Sequence, residues 1–208
     1  MSREPWILAT RNAGKLRELR ALFADAGIDV IDLAQARIAE LPEEETIEVY
    51  ETFEENALAK ARYYTRRAEG RSVVADDSGL EVMALGGAPG VRSKRWSGRA
   101  DLEGAALDAA NNALLLGRLQ GEADWRARFV CAAAWSAGGE SLVARGEVPG
   151  VIVARASGAR GFGYDPHFEA TELGRTLADA TVAEKQGVSH RGRAFTALLD
   201  ALRGRGVV

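Results

Sequence analysis

The sequence is poor in cysteine and contains no long apolar run. Cys131 is the single cysteine among 208 residues, so no disulfide can form within the chain and a reducing compartment is expected. The apolar run near the N-terminus, Trp6 to Ala9, has four residues and is too short for a signal peptide. No stretch approaches the length of a membrane span. We therefore expect a cytoplasmic protein without a membrane partner.

Internal repeats, low-complexity tracts and recognisable linkers are also missing. The length of 208 residues suits one sizeable α/β domain or two small lobes, and it is enough to bury a core. The hydrophobic fraction of 47% and the charged fraction of 27% are those of an ordinary globular protein. The net charge of -3 argues against a protein that binds polyanions as a whole. We expect residues 1–208 to form a single domain with no nucleic-acid partner.

Strand and helix patterns alternate along the chain. The short apolar strand WILAT precedes a helix predicted from about Leu16 to Ala26, which Gly27 ends. Thr52 and Glu55 form a capping box that starts a second helix. Further along come a short buried strand that begins near Val73, a helix at 101–121, a hairpin at 125–153 turned at 137–140, a capping box at Thr181 and Glu184, and a helix from Arg191 to Leu202. This order predicts an α/β fold, a mixed twisted sheet flanked by helices, with ligands at the strand ends.

A polar loop, Thr10 to Lys15, connects the first strand to the first helix. Backbone N–H groups at a helix N-terminus attract phosphate, Lys15 adds a positive charge, and Thr10 and Asn12 add donors. The loop lacks the upstream glycine and the Ser or Thr after Gly-Lys that a Walker A motif needs. For this loop alone, phosphate binding and an ordinary connection both stay open.

Two adjacent carboxylates, Asp76 and Asp77, come at the predicted end of the buried strand. Neighbouring side chains in a strand point to opposite faces, so we expect one acid to face a cleft and the other to be held by the fold. Asp77 is expected on the cleft side, where Mg²⁺ would neutralise it beside bound phosphate. The alternative is a capped turn, because Asp and Ser readily bond nearby backbone amides.

A glycine-rich stretch with aromatic residues, 158–168, lacks the G-x-G-x-x-G order of a dinucleotide fingerprint. Its glycines permit close approach of the backbone to a ligand, and Phe162 or Tyr164 could stack on a flat ring. The alternative is a tight loop with core aromatics. Lys185, His190 and Arg191 come together near the start of the last helix. The adjacent pair His190 and Arg191 is unremarkable alone, but as two donors beside an aromatic residue it suits a purine carbonyl.

Two charged stretches can each be explained without a ligand-binding role. The acidic run at 41–48 is typical of a solvated loop. The basic stretch at 91–99 carries four cations around Trp96, an arrangement that can bind nucleic acid. The overall acidity of the chain favours a solvated loop or a dimer contact for that stretch instead.

Together, and in this order, the motifs resemble those of the inosine/xanthosine triphosphate pyrophosphatase family. The matching stretches, which run from near the N-terminus to the last helix, are ATRNAGKLRE, TFEENALAKA, ADDSGLEVMALGGAPGV, GFGYDPHF and EKQGVSHRGRA. The resemblance implies a two-lobed α/β fold with an elongated mixed sheet, a nucleotide cleft between the lobes, a Mg²⁺ requirement and a homodimer. It also implies hydrolysis of ITP, dITP or XTP to the nucleoside monophosphate and pyrophosphate.

Position by position, the resemblance implies a set of site residues. Asp77 would bind Mg²⁺ and accept a proton. Glu43 is the preferred candidate for a second metal ligand, with Glu44 and Glu48 as alternatives. The residues implied in substrate binding are Thr10, Arg11, Asn12, Ala13, Gly14, Lys15, Ser78, Phe162, Gly163, Tyr164, Asp165, Lys185, His190 and Arg191. Among them, Phe162 would stack on the base.

Two features depart from the family pattern. The segment before the second helix, EEETIEVYETF, is longer than in bacterial members, which leaves the metal-side glutamate undecided. Arg92 and Lys94 stand where Tyr and Ala are usual, so the role of that stretch is open. Two other functions stay open from the residues themselves: a nucleotide-binding module without catalysis, and a phosphatase that releases orthophosphate. Asp77 beside several glutamates favours the enzyme, because a binder needs no metal-activated water.

Overall fold

The computed structural model describes residues 4–208, the side chains of Val182 and Gln186 excepted. Its helices and strands are β1 (Trp6–Leu8), α1 (Ala13–Asp25), β2 (Val30–Asp32), α2 (Phe53–Arg67), β3 (Val73–Val82), α3 (Gly104–Leu119), β4 (Arg126–Ala137), β5 (Glu140–Ile152), β6 (Phe168–Ala170), β7 (Arg175–Thr176), α4 (Val182–Val188) and α5 (His190–Gly204). Short 3₁₀ helices cover Pro42–Thr46, Met83–Leu85, Gly90–Arg95 and Asp165–His167. Across residues 4–208, none of the helices combines the length and the apolar character needed to cross a bilayer.

The described strands form one seven-stranded sheet in the order β2-β1-β3-β4-β5-β6-β7. β1 pairs in parallel with β2 and with β3, whereas β6 pairs antiparallel with β5 and with β7. Parallel neighbours need a crossover connection, and α1 and α2 supply it between β1, β2 and β3. The mixed sheet with its helices confirms the predicted α/β class. The nucleotide cleft stays a prediction.

Side-chain caps mark where α1, α2 and α4 begin. The side chain of Asn12 accepts a hydrogen bond from the backbone N–H of Lys15 at 3.0 Å, so α1 begins at Ala13, ahead of the predicted start at Leu16. The predicted cap residues Thr52 and Thr181 each accept a bond from the backbone N–H of the glutamate three residues on. The predicted hairpin turn is also present, because β4 ends at Ala137 and β5 begins at Glu140.

The strand that carries the paired acids runs farther than the sequence pattern predicts. β3 continues to Val82, so Asp76 and Asp77 lie in its middle, and the prediction that they end the strand is wrong. Ser78 and Gly79 do not break the strand, and Leu80 and Val82 beyond them are completely buried. The two acids therefore have strand geometry, with their side chains on opposite faces.

The chain folds as two compact units, each with its own apolar core. The first unit contains the described residues up to Asp77 together with Cys131–Gly146 and Arg191–Val208. Its core includes Trp6, Phe23 and Phe195. The ring centroid of Phe23 lies 6.0 Å from that of Trp6 and 5.7 Å from that of Phe195, both in edge-on geometry.

The second unit contains Ser78–Val130 and Glu147–His190. Its core includes Leu80, Phe129 and Phe168, and the rings of Phe129 and Phe168 meet edge-on at 4.6 Å. Three strands, β3, β4 and β5, contribute residues to both units.

Candidate active site

The polar loop from Thr10 to Lys15 joins the end of β1 to the start of α1 in the first unit. The backbone N–H of Asn12 donates to Thr10 Oγ1 at 3.2 Å, and the Asn12 side chain in turn caps α1. Arg11, Asn12 and Ala13 are exposed, and Thr10, Gly14 and Lys15 are half-buried. The loop therefore presents the N-terminus of α1 to solvent, and phosphate is the ligand class that such a helix end attracts.

The side chain of Arg11 is held by Glu44. Its guanidinium donates to the Glu44 carboxylate from Nε at 3.2 Å and from Nη2 at 3.1 Å. Glu44 also accepts hydrogen bonds from the Tyr64 hydroxyl at 2.6 Å and from Arg67 Nη1 at 2.9 Å. Burial alone would raise the pKa of Glu44, but the hydrogen bonds from Arg11 and Tyr64 outweigh it and lower this pKa. Glu44 thus anchors the loop from Thr10 to Lys15 to α2.

Asp76 is fully buried and paired with two cations. Its Oδ2 lies 3.0 Å from Lys15 Nζ and accepts a hydrogen bond from Arg191 Nε at 3.1 Å. Arg191, only 2% exposed, also donates to Glu18 at 2.5 Å. Burial alone would raise the pKa of Asp76, but the surrounding positive charges, Lys15 first, hold it well below its usual range. Asp76 therefore stays ionised and fixes the side chain of Lys15.

Asp77, the next residue, has a different environment. It is 9% exposed, and its Oδ2 accepts a hydrogen bond from Asn56 Nδ2 at 3.0 Å. Burial, together with the negative charge of Glu48, raises the pKa of Asp77 to about 6 against the opposing effect of Lys60. Adjacent carboxylates with opposite pKa shifts are typical of sites in which two acids have separate tasks. A carboxylate with this pKa can accept a proton near neutral pH.

Glu48 is the residue of the acidic run that reaches this cluster. Its carboxylate pairs with Lys60, and it interacts electrostatically with Asp77. Glu43, the candidate preferred from the sequence, is exposed and accepts a hydrogen bond from the Tyr63 hydroxyl at 3.3 Å. The geometry therefore favours Glu48 over Glu43 as the partner of Asp77.

Carboxylate oxygens such as those of Asp77 and Glu48 are ligands that Mg²⁺ prefers. In residues 4–208, no group of three His, Cys, Asp or Glu side chains is gathered into a complete metal cage. Mg²⁺ does not require one, because it is commonly held by one or two carboxylates and completes its shell with phosphate oxygens and water. Asp77 and Glu48, both within electrostatic range of Lys15, fit that mode of binding.

The sequence pattern does not single out Asn56, Lys60 or Glu18, which all belong to this cluster. Asn56 and Lys60 lie one turn apart on α2, next to Ala57 and Ala61, which are fully buried. Two polar residues at positions i and i+4 on the buried face of a helix are the sequence signal that could have identified Asn56 and Lys60.

A second cluster lies in the second unit around Asp165. This carboxylate, 3% exposed, accepts hydrogen bonds from Lys185 Nζ at 2.7 Å and from the backbone N–H of Phe162 at 2.9 Å. Lys185 Nζ also lies 5.2 Å from the centroid of the Phe162 ring. Gly161 has a φ of 81°, and a Cβ there would lie 2.1 Å from Asp165 Oδ2, so the loop requires glycine. The ion pair thus positions Phe162, whose partly exposed ring can stack on a ligand.

The next residue of this loop, Gly163, is held by α3. Its N–H donates to Asp108 Oδ2 at 2.8 Å, and its carbonyl accepts from Asn112 Nδ2 at 2.9 Å. Asp108 and Asn112 are four residues apart and therefore share a helix face. Both backbone groups of Gly163 are bound by one turn of α3.

Two other predicted site residues, Tyr164 and His190, are packed in the core of the second unit. Tyr164 is 5% exposed, and its hydroxyl donates to the carbonyl of Ser93 at 2.8 Å. His190 is 5% exposed, and its ring stacks on Phe129 with centroids 4.6 Å apart. Of the two aromatics proposed for stacking, Phe162 is therefore the one with an accessible ring.

The residues predicted to recognise the base are divided between the units. Lys185 and His190 lie in the second unit, whereas Arg191 belongs to the first, where its guanidinium pairs with Asp76. Ser78 follows Asp77 on β3 and is half-buried. The roles of these residues toward a base stay predictions.

The basic stretch is mostly solvated. Arg92, Lys94 and Arg95 are exposed on a 3₁₀ helix, and Arg99 pairs with Asp101 at 2.6 Å. This geometry agrees with a solvated loop, and a dimer contact there stays a prediction.

The sequence and the fold of this chain are similar to those of known proteins. A model of the Ham1 family matches residues 6–201. The dITP/XTP pyrophosphatase of Mycobacterium tuberculosis is 50% identical over 95% of this chain and 94% of that protein. The solved structure of a HAM1 protein from Coxiella burnetii matches with a TM-score of 0.82 and 32% identity, over 97% of this chain and 100% of that one.

A second solved structure carries an activity in its name. The nucleoside-triphosphatase / dITP/XTP pyrophosphatase of Mycobacterium abscessus matches with a TM-score of 0.70 and 42% identity, over 94% of this chain and 99% of that one. Motifs, fold and relatives agree along nearly the whole length, which confirms the resemblance drawn from the sequence. The chain belongs to the Ham1 family.

Proposed function

We propose that this chain hydrolyses dITP, XTP and ITP to the nucleoside monophosphate and pyrophosphate, with Mg²⁺ as cofactor. It is a nucleoside triphosphate hydrolase by its family membership, since its relatives are named dITP/XTP pyrophosphatase. The observation that carries the proposal is the pair of acids on β3: Asp76, held ionised by Lys15 and Arg191, and Asp77, with a pKa of about 6.

The triphosphate would bind at the loop from Thr10 to Lys15. Backbone N–H groups at the start of α1 supply donors, and Lys15 supplies a positive charge. Because Asp76 holds Lys15 Nζ at 3.0 Å, this charge is already in position when substrate arrives. A preorganised cation of this kind stabilises the negative charge that develops on departing pyrophosphate.

Asp77 would orient the attacking water and take its proton. Burial raises the pKa of Asp77 to about 6 before any metal binds, so the carboxylate is ionised at neutral pH. Asp77 and Glu48 would hold Mg²⁺, which, when bound, neutralises phosphate charge. Attack at the α-phosphorus makes pyrophosphate the leaving group.

The base would stack on Phe162, with Lys185 and His190 as donors. Hypoxanthine and xanthine carry an acceptor at the purine 6-position, whereas adenine carries an amino donor there. A buried donor facing another donor is left unsatisfied, and such mismatches discriminate between ligands by as much as ~10⁴-fold. Guanine shares the 6-carbonyl and must be refused at its 2-amino group. Arg191 stays in the proposal as a third donor to the base.

A product assay tests the proposed function. The purified chain is incubated with Mg²⁺ and, separately, dITP, XTP, ITP, GTP and ATP, and both pyrophosphate and orthophosphate are quantified. Pyrophosphate from the first three, with little from GTP and ATP, is the expected result. Orthophosphate as the product would move the attack to the γ-phosphorus and contradict the proposal. Binding of ITP without any product would make the chain a binding module.

A homodimer and a cytoplasmic location are also part of the proposal, and their support is the family resemblance. The chain has a mass of 22.2 kDa. Light scattering on the protein as it elutes from a sizing column should give twice this value. The mass of a single chain across the working concentration range would overturn the dimer.

A further inference from the structure

A single buried amide, that of Asn56, joins two parts of the first unit. Asn56 is 1% exposed and lies near the start of α2. Its Nδ2 donates to Asp77 Oδ2 at 3.0 Å and to the carbonyl of Tyr50 at 3.1 Å. Its Oδ1 accepts from the backbone N–H of Tyr50 at 2.9 Å. One carboxamide therefore binds Asp77 and both backbone groups of Tyr50.

The segment from Glu48 to Tyr50 is held at both ends by the same face of α2. Lys60, one turn beyond Asn56, pairs with the carboxylate of Glu48. Between these anchors, Val49 is 63% exposed and the Tyr50 side chain is 46% exposed. Burial of these side chains does not hold the segment, so the backbone bonds to Asn56 are its anchor at Tyr50.

An amide suits this position better than any other side chain of its size. It offers a donor pair and an acceptor in one plane, and it carries no charge. It can therefore bind Asp77 without neutralising that carboxylate, while it satisfies the peptide groups of Tyr50. An aspartate would lose the N–H donors to Asp77 and to the Tyr50 carbonyl. An alanine would remove all three hydrogen bonds.

We propose that Asn56 is a positioning residue, which fixes Asp77 relative to the segment that carries Glu48. The proposal rests on the proposed function, in which these two carboxylates serve one reaction. A misplacement of about 1 Å in a catalytic group costs on the order of 10²-fold in rate. Loss of Asn56 should therefore lower kcat and leave substrate binding at the phosphate loop and at Phe162 nearly intact.

The test compares Asn56→Ala and Asn56→Ser with a matched control, Thr65→Ala, all in the full chain. Thr65 lies on the same helix and is 6% exposed, and its hydroxyl donates to the carbonyls of Ala61 and Ser136, each at 2.9 Å. The control removes a buried hydrogen bond of α2 away from Asp77. With dITP, Asn56→Ala should lose about 10-fold or more in kcat, with KM within about threefold. Thr65→Ala should unfold at a lower temperature and keep kcat within about twofold.

Hydrogen–deuterium exchange gives a readout that does not depend on catalysis. A peptide that covers residues 47–52 should exchange faster in Asn56→Ala than in the wild type or in Thr65→Ala, because the Tyr50 amide loses its acceptor. In Asn56→Ser the single, shorter hydroxyl cannot replace the bonds to both Tyr50 and Asp77. That variant should therefore lose kcat as Asn56→Ala does.

Near-normal kcat in either folded Asn56 variant would overturn the positioning role. If the wild type releases no pyrophosphate from any nucleotide, the proposed function fails. Hydrogen–deuterium exchange alone then tests whether Asn56 anchors the segment at Tyr50. Faster exchange at 47–52 in Asn56→Ala would then still support the anchor, and exchange equal to that of the wild type would overturn it.

Discussion

Adjacent residues on β3 illustrate how far a local environment changes the same chemical group. The carboxylate of Asp76 has no exposure and lies against Lys15 and Arg191, so its pKa falls well below the usual range. Asp77 is nearly as buried, but its hydrogen bond comes from a neutral amide and Glu48 is close, so its pKa rises to about 6. Removal of each acid should therefore have a different effect.

Asp77→Asn should remove catalysis and keep the fold. The asparagine preserves shape but cannot accept the proton of water, and general-base catalysis contributes about 10²- to 10⁴-fold. We expect kcat for dITP to fall by about that factor, with the urea unfolding midpoint close to the wild-type value. Near-normal turnover by the folded variant would contradict the role given to Asp77.

Asp76→Asn should instead destabilise the protein. It leaves the guanidinium of Arg191, which is 2% exposed, without the charge of Asp76. Breaking one side of a buried ion pair costs about 3–5 kcal/mol in the free energy of unfolding. Urea denaturation measures this loss, and Asp101→Asn, in an exposed pair with Arg99, is the control that should leave the midpoint unchanged. An equally small effect for Asp76→Asn would contradict the prediction.

Cys131 should be unreactive in the folded protein. Burial, with Asp76 nearby, raises the pKa of its thiol, and the side chain has no exposure. A thiol that is neither ionised nor accessible reacts slowly with disulfide reagents. Ellman's reagent at pH 8 should titrate no thiol in native buffer and one thiol per chain in guanidinium chloride. Rapid reaction without denaturant would show that β4 opens readily around this residue.

At the scale of elements, two helices use polar side chains one turn apart to hold irregular backbone. On α2 the pair is Asn56 with Lys60, which holds the segment from Glu48 to Tyr50. On α3 the pair is Asp108 with Asn112, which holds Gly163 in the loop that carries Phe162. A loop that lacks side-chain packing can be ordered in this way by a rigid helix.

Asn112→Ala should weaken nucleotide binding more than it slows the reaction. Without the bond from Asn112 to the carbonyl of Gly163, the neighbouring Phe162 loses part of its support. Stacking on an aromatic ring contributes on the order of 1–3 kcal/mol, so partial loss should raise KM for dITP about 3- to 10-fold. Asn111→Ala is the matched control, since Asn111 bonds to Ser97 and Lys94 instead. Equal KM values for the two variants would contradict the prediction.

At the scale of the whole molecule, each unit has a core of its own, and one sheet supplies strands to both. In the first unit the core is built on aromatic contacts of Phe23 with Trp6 and Phe195. Two helices, α1 with Lys15 and α5 with Arg191, pack on this core through Phe23 and Phe195. Stability of the first unit therefore depends on residues that take no part in the chemistry.

Phe23→Ala should be strongly destabilising. Phe23 is fully buried, and truncation of a buried phenylalanine to alanine costs about 3–5 kcal/mol in the free energy of unfolding. Met83 is 41% exposed, so Met83→Ala is the surface control. It should change the free energy of unfolding by about 0.5 kcal/mol or less. Chemical denaturation of the two variants measures the difference. A loss below about 1 kcal/mol for Phe23→Ala would mean that this site repacks freely.

Several features of this protein were determined by the sequence alone because they depend on residues close together in the chain. The caps at Thr52 and Thr181 bond to residues three positions on, and the hairpin turn joins neighbouring strands. The alternation of side chains in a strand likewise predicted separate environments for Asp76 and Asp77. The order of the motifs was enough to indicate the family.

The tertiary structure alone decided which distant side chains meet. Asn56 and Asp77 are 21 positions apart, and Asp76 and Arg191 are 115 apart, so no local pattern reports their contacts. The choice of Glu48 over Glu43 beside Asp77 also depends on how the 3₁₀ helix and α2 are packed. Charge and burial act through space, and the pKa of a carboxylate is set by neighbours that only the folded chain brings to it.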